Sequence, residues 1–336
     1  MIRYPARKIE MIGVTAPSSG VGPADHGVLQ SAIERLEERN FKLKIGETSW
    51  TQAEAKSADA ETRAEELMEM LNDESVDLIM PPWGGELLIE VLEHMDFGAI
   101  PEKWVMGYSD ISLLLLAITL KTGIATAHGT NLVDLRGPES DSTTARWLDV
   151  LHTRKGESIS QVSSEKFQEK WDHENPSPVI FHLTEETEWK TVSGEPEQFS
   201  GRLLGGCMDV IRHIIGTPFG NVEAFREAHI PGEPVLWYLE NCEMNVADLK
   251  RTLTQMKYAG WFNHISGIIF GRSPANGEVG GYTVEKLYED LSEELGVPIA
   301  YDIDLGHVPP QITFINGAFA VIDVEKGKGK VTQEFK

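Results

Sequence analysis

The sequence predicts an α/β fold in two parts: an N-terminal parallel-sheet domain with helices on both faces, and a smaller C-terminal α+β domain. Three observations predict it. Over the first 150 residues, short runs rich in Val and Ile alternate with segments of helical period, the pattern of a parallel sheet covered by helices. From Lys155 to Ser200 the chain turns polar and carries Pro176, Pro178 and Pro196. Beyond it a second alternation begins and ends in a β meander. At 336 residues the chain also exceeds one typical core, and the expected division is 1–155, a linker with a substrate loop over 156–200, and 201–336.

Taken in order, Ile9–Thr15 is expected as the first strand and Asp25–Arg39 as a helix with Val28, Ala32, Ile33 and Leu36 on one face. Phe41–Ile45 and Val76–Met80 follow as strands, Ala60–Leu71 and Glu86–His94 as helices. Trp104–Met106 is a strand that meets Gly107-Tyr108-Ser109-Asp110, and the apolar run from Ile111 is long enough for a buried helix. Gly123–Ala127 is a short strand, and Asp141–His152 is helical. In the second half, Leu203–Ile215, Val246–Ala259 and Thr283–Leu295 are expected as helices. Pro234–Leu239, Ile265–Phe270 and Ile299–Ile303 are expected as strands, before turns at Asn316-Gly317 and Gly327-Lys328-Gly329.

The composition narrows the function classes. Lys and Arg number 30 against 53 Asp and Glu, a formal charge of −23 spread along the chain, which disfavours nucleic acid. The N-terminus lacks the apolar core of a signal peptide. The longest apolar run, Ile111–Leu120, is about half of what a bilayer requires, so no membrane span is expected. Cys207 and Cys242 show no metal-ligand spacing, so the expectation is no metal, no disulfide and a reducing cytoplasm.

Ligands of open α/β sheets gather at the carboxyl ends of strands. Four polar features lie there: Gly84-Gly85, Ser109-Asp110, Glu240 and His307. A serine at a strand–turn–helix junction presents its hydroxyl at the sheet edge, beside a helix N-terminus. Ser109 is thus a candidate nucleophile, although Ser109 or Asp110 would also serve as an ordinary helix cap. Serine needs a base and the base an orienting carboxylate; His307 and Glu240 fill those roles, with Glu243 an equal neighbour by spacing. A glycine N–H of the Gly84-Gly85 turn and the Asp110 N–H could form an oxyanion hole. Trp189, an aromatic in a polar loop, either packs back onto the body or stacks on a ligand.

GYSDIS after a strand, the preceding diglycine turn, LWYLEN, and DLGH before a proline pair together resemble the serine peptidase family of LD-carboxypeptidases and microcin C immunity proteins. The resemblance runs from IGVTAPSSG to the final hairpin. It implies a cofactor-free, cytoplasmic homodimer with the active site at the domain junction. Ser109 would be the nucleophile, Glu240 the acid, His307 the base, and the Gly85 and Asp110 N–H groups the oxyanion donors. It also implies a small peptide or peptidyl-nucleotide substrate. NCEMNVADLKR in place of a Pro-Tyr-Arg segment, with the Trp-bearing loop, looks like the microcin immunity branch, in which Trp189 would stack on the nucleotide base. Gly84, Cys207 and Arg272 are further expected substrate contacts, Cys207 standing where the family often has asparagine. A murein tetrapeptide LD-carboxypeptidase is the alternative, and a non-catalytic binding protein of the same fold a third.

Overall fold

The computed structural model describes residues 1–170 and 175–336. Its first part supplies β1 (Met11–Val14), α1 (His26–Glu38), β2 (Lys42–Ile45), α2 (Ala60–Asn72), β3 (Leu78–Ile79), β4 (Trp104–Gly107), α3 (Ile111–Thr122), β5 (Thr126–His128) and α4 (Trp147–Leu151). The strands pair in parallel in the order β2-β1-β3-β4-β5. Leu29, Ala32, Ile33 and Leu36 form the buried face of α1, with Leu29 in the place expected for Val28. The segment expected as a helix over 86–94 is a 3-10 helix, Leu88–His94, and α4 keeps only the end of the helix expected over 141–152.

The second part supplies β6 (Ser158–Val162), β7 (Lys166–Phe167), β8 (Glu185–Glu186), β9 (Lys190–Thr191), β10 (Glu197–Cys207), α5 (Met208–Ile211), α6 (Val222–His229), β11 (Val235–Glu240), α7 (Val246–Tyr258), β12 (Ile265–Gly271), α8 (Val284–Leu295), β13 (Ile299–Ile303), β14 (Phe314–Asn316), β15 (Phe319–Glu325) and β16 (Lys328–Glu334). An eight-stranded sheet runs β6-β16-β15-β10-β11-β12-β13-β9, parallel from β10 to β13 and antiparallel at both flanks.

Two expectations fail here. Residues 203–207 belong to a strand, not a helix: a Cβ on Gly205 would lie 1.7 Å from the Tyr238 carbonyl oxygen, so the glycines let β10 lie tightly on β11. A short apolar run buried on both faces does not distinguish strand from helix by period. The polar stretch 156–200, read from sequence as a linker passing into strands and a long loop, contributes β6, β9 and the start of β10 to the second sheet. The terminal meander is also split, because β14 leaves it to pair antiparallel with β5 of the first sheet.

Helix α3 explains how the two sheets meet. It is apolar all round, with Ile111 to Leu120 buried, and it packs against β4 and β5 on one side and β10 and α5 on the other. A helix without a polar face is stable only when surrounded. No helix among the described residues is long and apolar enough to cross a membrane.

Candidate active site

Between β4 and α3 the backbone turns within three residues, and Ser109 takes a left-handed conformation, φ +63°. That costs an L-residue about 1–2 kcal/mol and persists because the buried strand and helix on either side fix the path. The Ser109 carbonyl accepts from Ser112 N–H at 2.9 Å, while its side chain is left pointing out of the turn. Gly107 makes the turn possible: a Cβ there would lie 2.8 Å from Asn131 Oδ1 and 2.9 Å from Ile111 Cγ2.

His307, on the loop after β13, has Nε2 3.0 Å from Ser109 Oγ and Nδ1 2.8 Å from Glu240 Oε2. With Nδ1–H donating to the carboxylate, Nε2 is the acceptor for the serine proton. The expected Ser109 and Glu240 are therefore joined through His307, and the separation that would favour a non-catalytic protein is not found. Glu240 is fully buried at the end of β11, and Glu243 is exposed, which settles the choice that spacing leaves open. Gly306 has φ +88° and a Cβ there would fall 2.5 Å from Glu240 Oε2, so only glycine lets the loop turn over the carboxylate. The Tyr108 ring lies edge-on to the imidazole, centroids 5.1 Å apart.

Burial opposes charge on His307, but the charge of the Glu240 carboxylate, with the imidazole's hydrogen bonds to the Cys242 sulfur and to Glu240, outweighs it and raises its pKa well above that of an ordinary histidine. Burial likewise pushes Glu240 up, and the imidazole charge with its hydrogen bond pulls it below the usual carboxylate value. The pair thus holds a charge-assisted bond with Glu240 ionised.

The diglycine turn passes directly over Ser109. A Cβ on Gly84 would lie 2.6 Å from Ser109 Cβ and 3.1 Å from Asp110 N, and one on Gly85, at φ +148°, would meet Ser18 Oγ at 2.3 Å. Asp110 opens α3, where the first N–H groups have no helical acceptor. Its carboxylate does not cap that helix. It accepts from Ser18 Oγ at 2.5 Å and Leu88 N–H at 2.9 Å, tying the loop after β1 and the Leu88–His94 turn to the elbow, and burial raises its pKa to about 6.

Two expected substrate contacts are placed elsewhere. Trp189 is 1% exposed, packed on Gly329, with Nε1 donating to Asp304 Oδ2 at 2.9 Å. It is a core residue, because it leads directly into β9, the edge strand of the second sheet, rather than lying on a free loop. Arg272 is buried as well, paired with Asp304 at 2.6 Å and donating to the carbonyls of Val308 and Pro310. It braces the loop that carries His307 and forms part of the wall of a neighbouring cavity of about 660 Å³. Cys207 and Gly84 do line the site.

Ser109 and His307 border two cavities. One, of about 410 Å³, is lined by Gly85, Cys207, Asp209, Arg212, Cys242 and Glu243 among others, and one of about 480 Å³ by Ser19, Gln52, Trp83, Gly84, Tyr108 and Asn131 among others. Sequence reasoning missed Trp83, Arg212 and Cys242. Trp83 stood beside the diglycine it recognised, and Cys242 lies two residues past Glu240. Arg212 carried no signal of its own, since the segment was expected as a helix of unknown facing. Tertiary structure also gathers Cys207, Cys242 and His307, whose ligand atoms lie within 4.8 Å of one another, a group that linear spacing does not reveal.

The profile of LD-carboxypeptidase N-terminal domains matches residues 12–129 and that of LD-carboxypeptidase C-terminal domains residues 200–322. The "Probable murein peptide carboxypeptidase" of Bacillus subtilis is 28% identical over 94% of this chain and 89% of its own. The Microcin C7 self-immunity protein MccF of Escherichia coli is 26% identical over 90% of this chain and 87% of its own. A solved structure of MccF in complex with aspartyl sulfamoyl adenosine superposes with a TM-score of 0.83 at 20% identity, over 100% of this chain and 99% of that one, a likeness of fold. With both halves of the family present in order, the chain belongs to the LD-carboxypeptidase family and is a serine-type carboxypeptidase.

Proposed function

We propose that the chain hydrolyses an amide bond through an acyl-enzyme on Ser109. The observation that carries this is the continuous Ser109–His307–Glu240 contact at the mouth of two cavities. His307 takes the hydroxyl proton as Ser109 Oγ attacks the carbonyl carbon, and Glu240 holds the imidazole and offsets its positive charge. The Gly85 and Asp110 N–H groups receive the oxyanion at the start of α3. His307 then protonates the leaving amine, and water, deprotonated by the same imidazole, releases the acyl group. No step calls for a group beyond these side chains and backbone.

The substrate we propose is a peptidyl or aminoacyl nucleotide, as in the microcin C immunity branch. With Trp189 in the core, the aromatic available to a nucleotide base is Trp83, half-buried in the 480 Å³ cavity with Nε1 donating to the Gly20 carbonyl. Arg212, whose guanidinium donates to the Asp209 carbonyl and Met244 Sδ among the described residues, would take an acidic group in the other cavity. A murein tetrapeptide is the second reading, favoured by the absence of Trp189 from the site and by the fit of Arg212 to a free carboxylate.

Side-by-side hydrolysis of a processed microcin C analogue and a murein tetrapeptide tests both. The nucleotide substrate should give the higher kcat/KM, and Ser109→Ala should lower turnover about 10⁴-fold or more on whichever is cleaved. Full activity in Ser109→Ala would sink the mechanism; faster cleavage of the muropeptide would sink the substrate assignment.

A further inference from the structure

Both cysteines of the chain end up beside the catalytic histidine. Cys207 closes β10 and Cys242 follows β11 by two residues, so the parallel pairing of these strands, with Cys207 opposite Glu240, brings the thiols together at the sheet's carboxyl edge. Their Sγ atoms and an imidazole nitrogen of His307 lie within 4.8 Å of one another. The arrangement is braced. Asp209, at the start of α5, accepts from the N–H groups of Cys242, Glu243 and Met244 at 2.8, 3.2 and 3.2 Å, and from the Cys207 thiol at 3.4 Å. The buried Glu240 carboxylate adds negative charge against the same imidazole, and its Oε1 has no hydrogen-bond partner among the described residues. All three donors line the 410 Å³ cavity, which gives a path from solvent.

We propose that Cys207, Cys242 and His307 form an inhibitory binding site for a thiophilic divalent cation of the zinc type. Two thiolates and one imidazole are a donor set that zinc accepts with a fourth, open position. Zn–S bonds of about 2.3 Å and Zn–N bonds of about 2.0 Å place tetrahedral donors roughly 3.5 Å apart, so the side chains need to close by about 1 Å. Binding releases the two thiol protons to solvent, and the two thiolate charges neutralise the ion. The carboxylate of Asp209, already bonded to both cysteines' segments, orients the ligands from outside. The ion blocks catalysis because it consumes one imidazole nitrogen: taking Nε2 removes the base from Ser109, and taking Nδ1 breaks the bond to Glu240.

The blocking consequence rests on the proposed role of His307, whereas binding itself does not, so the test separates them. Chelator-treated enzyme, kept reduced with a phosphine that does not bind metal, is titrated with Co²⁺. One equivalent should bring thiolate-to-cobalt charge-transfer absorption and the visible bands of a tetrahedral ion, both removed by one equivalent of Zn²⁺. Zn²⁺ should lower hydrolysis of whichever of the two substrates is cleaved by at least about tenfold, reversed by EDTA, with stronger inhibition at higher pH because protons leave on binding; Mg²⁺ should not inhibit. Cys207→Ser and Cys242→Ser should each weaken cobalt binding at least about tenfold. Absence of the charge-transfer band in the unmutated protein, which requires no variant to fold, overturns the site, and so does unchanged affinity in both variants. Full band development with undiminished hydrolysis overturns the inhibition.

Discussion

Replacing Trp189 separates a residue that holds the fold from one that holds a ligand. Its indole is 1% exposed and fills the space over Gly329, where a Cβ would come within 1.7 Å of the ring. Truncating such a side chain costs about 3–5 kcal/mol in lost burial and cavity. The Nε1 bond to the Asp304 carboxylate adds about 1.5–3 kcal/mol, because among the described residues Asp304 Oδ2 then keeps only the Ser164 N–H at 2.9 Å. Trp189→Ala should therefore lose roughly 4.5–8 kcal/mol, a large share of the total for an ordinary protein. Trp189→Phe keeps most of the packing and should lose roughly 2–3 kcal/mol. Urea unfolding followed by circular dichroism measures both losses, and kcat/KM on nucleotide and murein substrates accompanies them. The expected result for Trp189→Phe is a lower midpoint with an unchanged ratio of the two kcat/KM values. An unchanged midpoint with a rise in KM confined to the nucleotide substrate would refute the burial argument and return Trp189 to the substrate.

Gly84→Ala should lower kcat about 10²-fold, because its methyl would sit 2.6 Å from Ser109 Cβ and displace the nucleophile; single-turnover kinetics with an unfolding curve close to that of the parent checks it. Glu240→Gln should reduce turnover about 10³-fold or more and move the acid limb of the remaining pH–rate profile to lower pH. Glu240 favours the imidazolium, so its loss lets His307 shed its proton earlier; an acid limb that stays put counts against that coupling. His128 is fully buried with both ring nitrogens unpartnered among the described residues, its ring edge-on to Tyr238, and burial lowers its pKa to about 4 against the attraction of Glu240 and with the repulsion of His307. Between the unfolded value near 6.5 and about 4 the unfolded chain binds the extra proton, so stability present above pH 6.5 is lost as pH falls, by about 3 kcal/mol from this group. His128→Leu should remove that share of the acid sensitivity, measured as the difference between unfolding free energies at pH 7 and pH 4.

Much of the site was legible because it sits where period changes. The run Trp104–Met106, the turn and the apolar run from Ile111 are a local strand–turn–helix signal, and they locate Ser109 without any distant contact. Glu240 and His307 were legible as polar residues ending strands, and the order of motifs joined them to Ser109. The residues that failed did so for a common reason. Trp189 and Arg272 are polar-context residues in sequence but core residues in space, because the Asp304 carboxylate draws both inward. Residues 203–207 look helical by composition but are held extended by β11, which pairs with all five of them, while β15 pairs with residues 197–202 of the same strand.

The sequence by itself determined the alternating α/β class, the strand–turn–helix that carries Ser109, and the acidic, metal-motif-free character of the chain, since these depend on neighbours within one or two turns of backbone. Only the tertiary structure decided that Trp189 lies in the core while Trp83 faces the site, and that β14 crosses to the first sheet; it also shows Glu240, which the resemblance implies over Glu243, in contact with His307. It alone also brought Cys207 and Cys242 to His307. Those outcomes depend on which strands pair and in what register. Pairing is fixed by burial summed over the whole chain, with partners as far apart as Ser109 and His307, and no local window carries that sum.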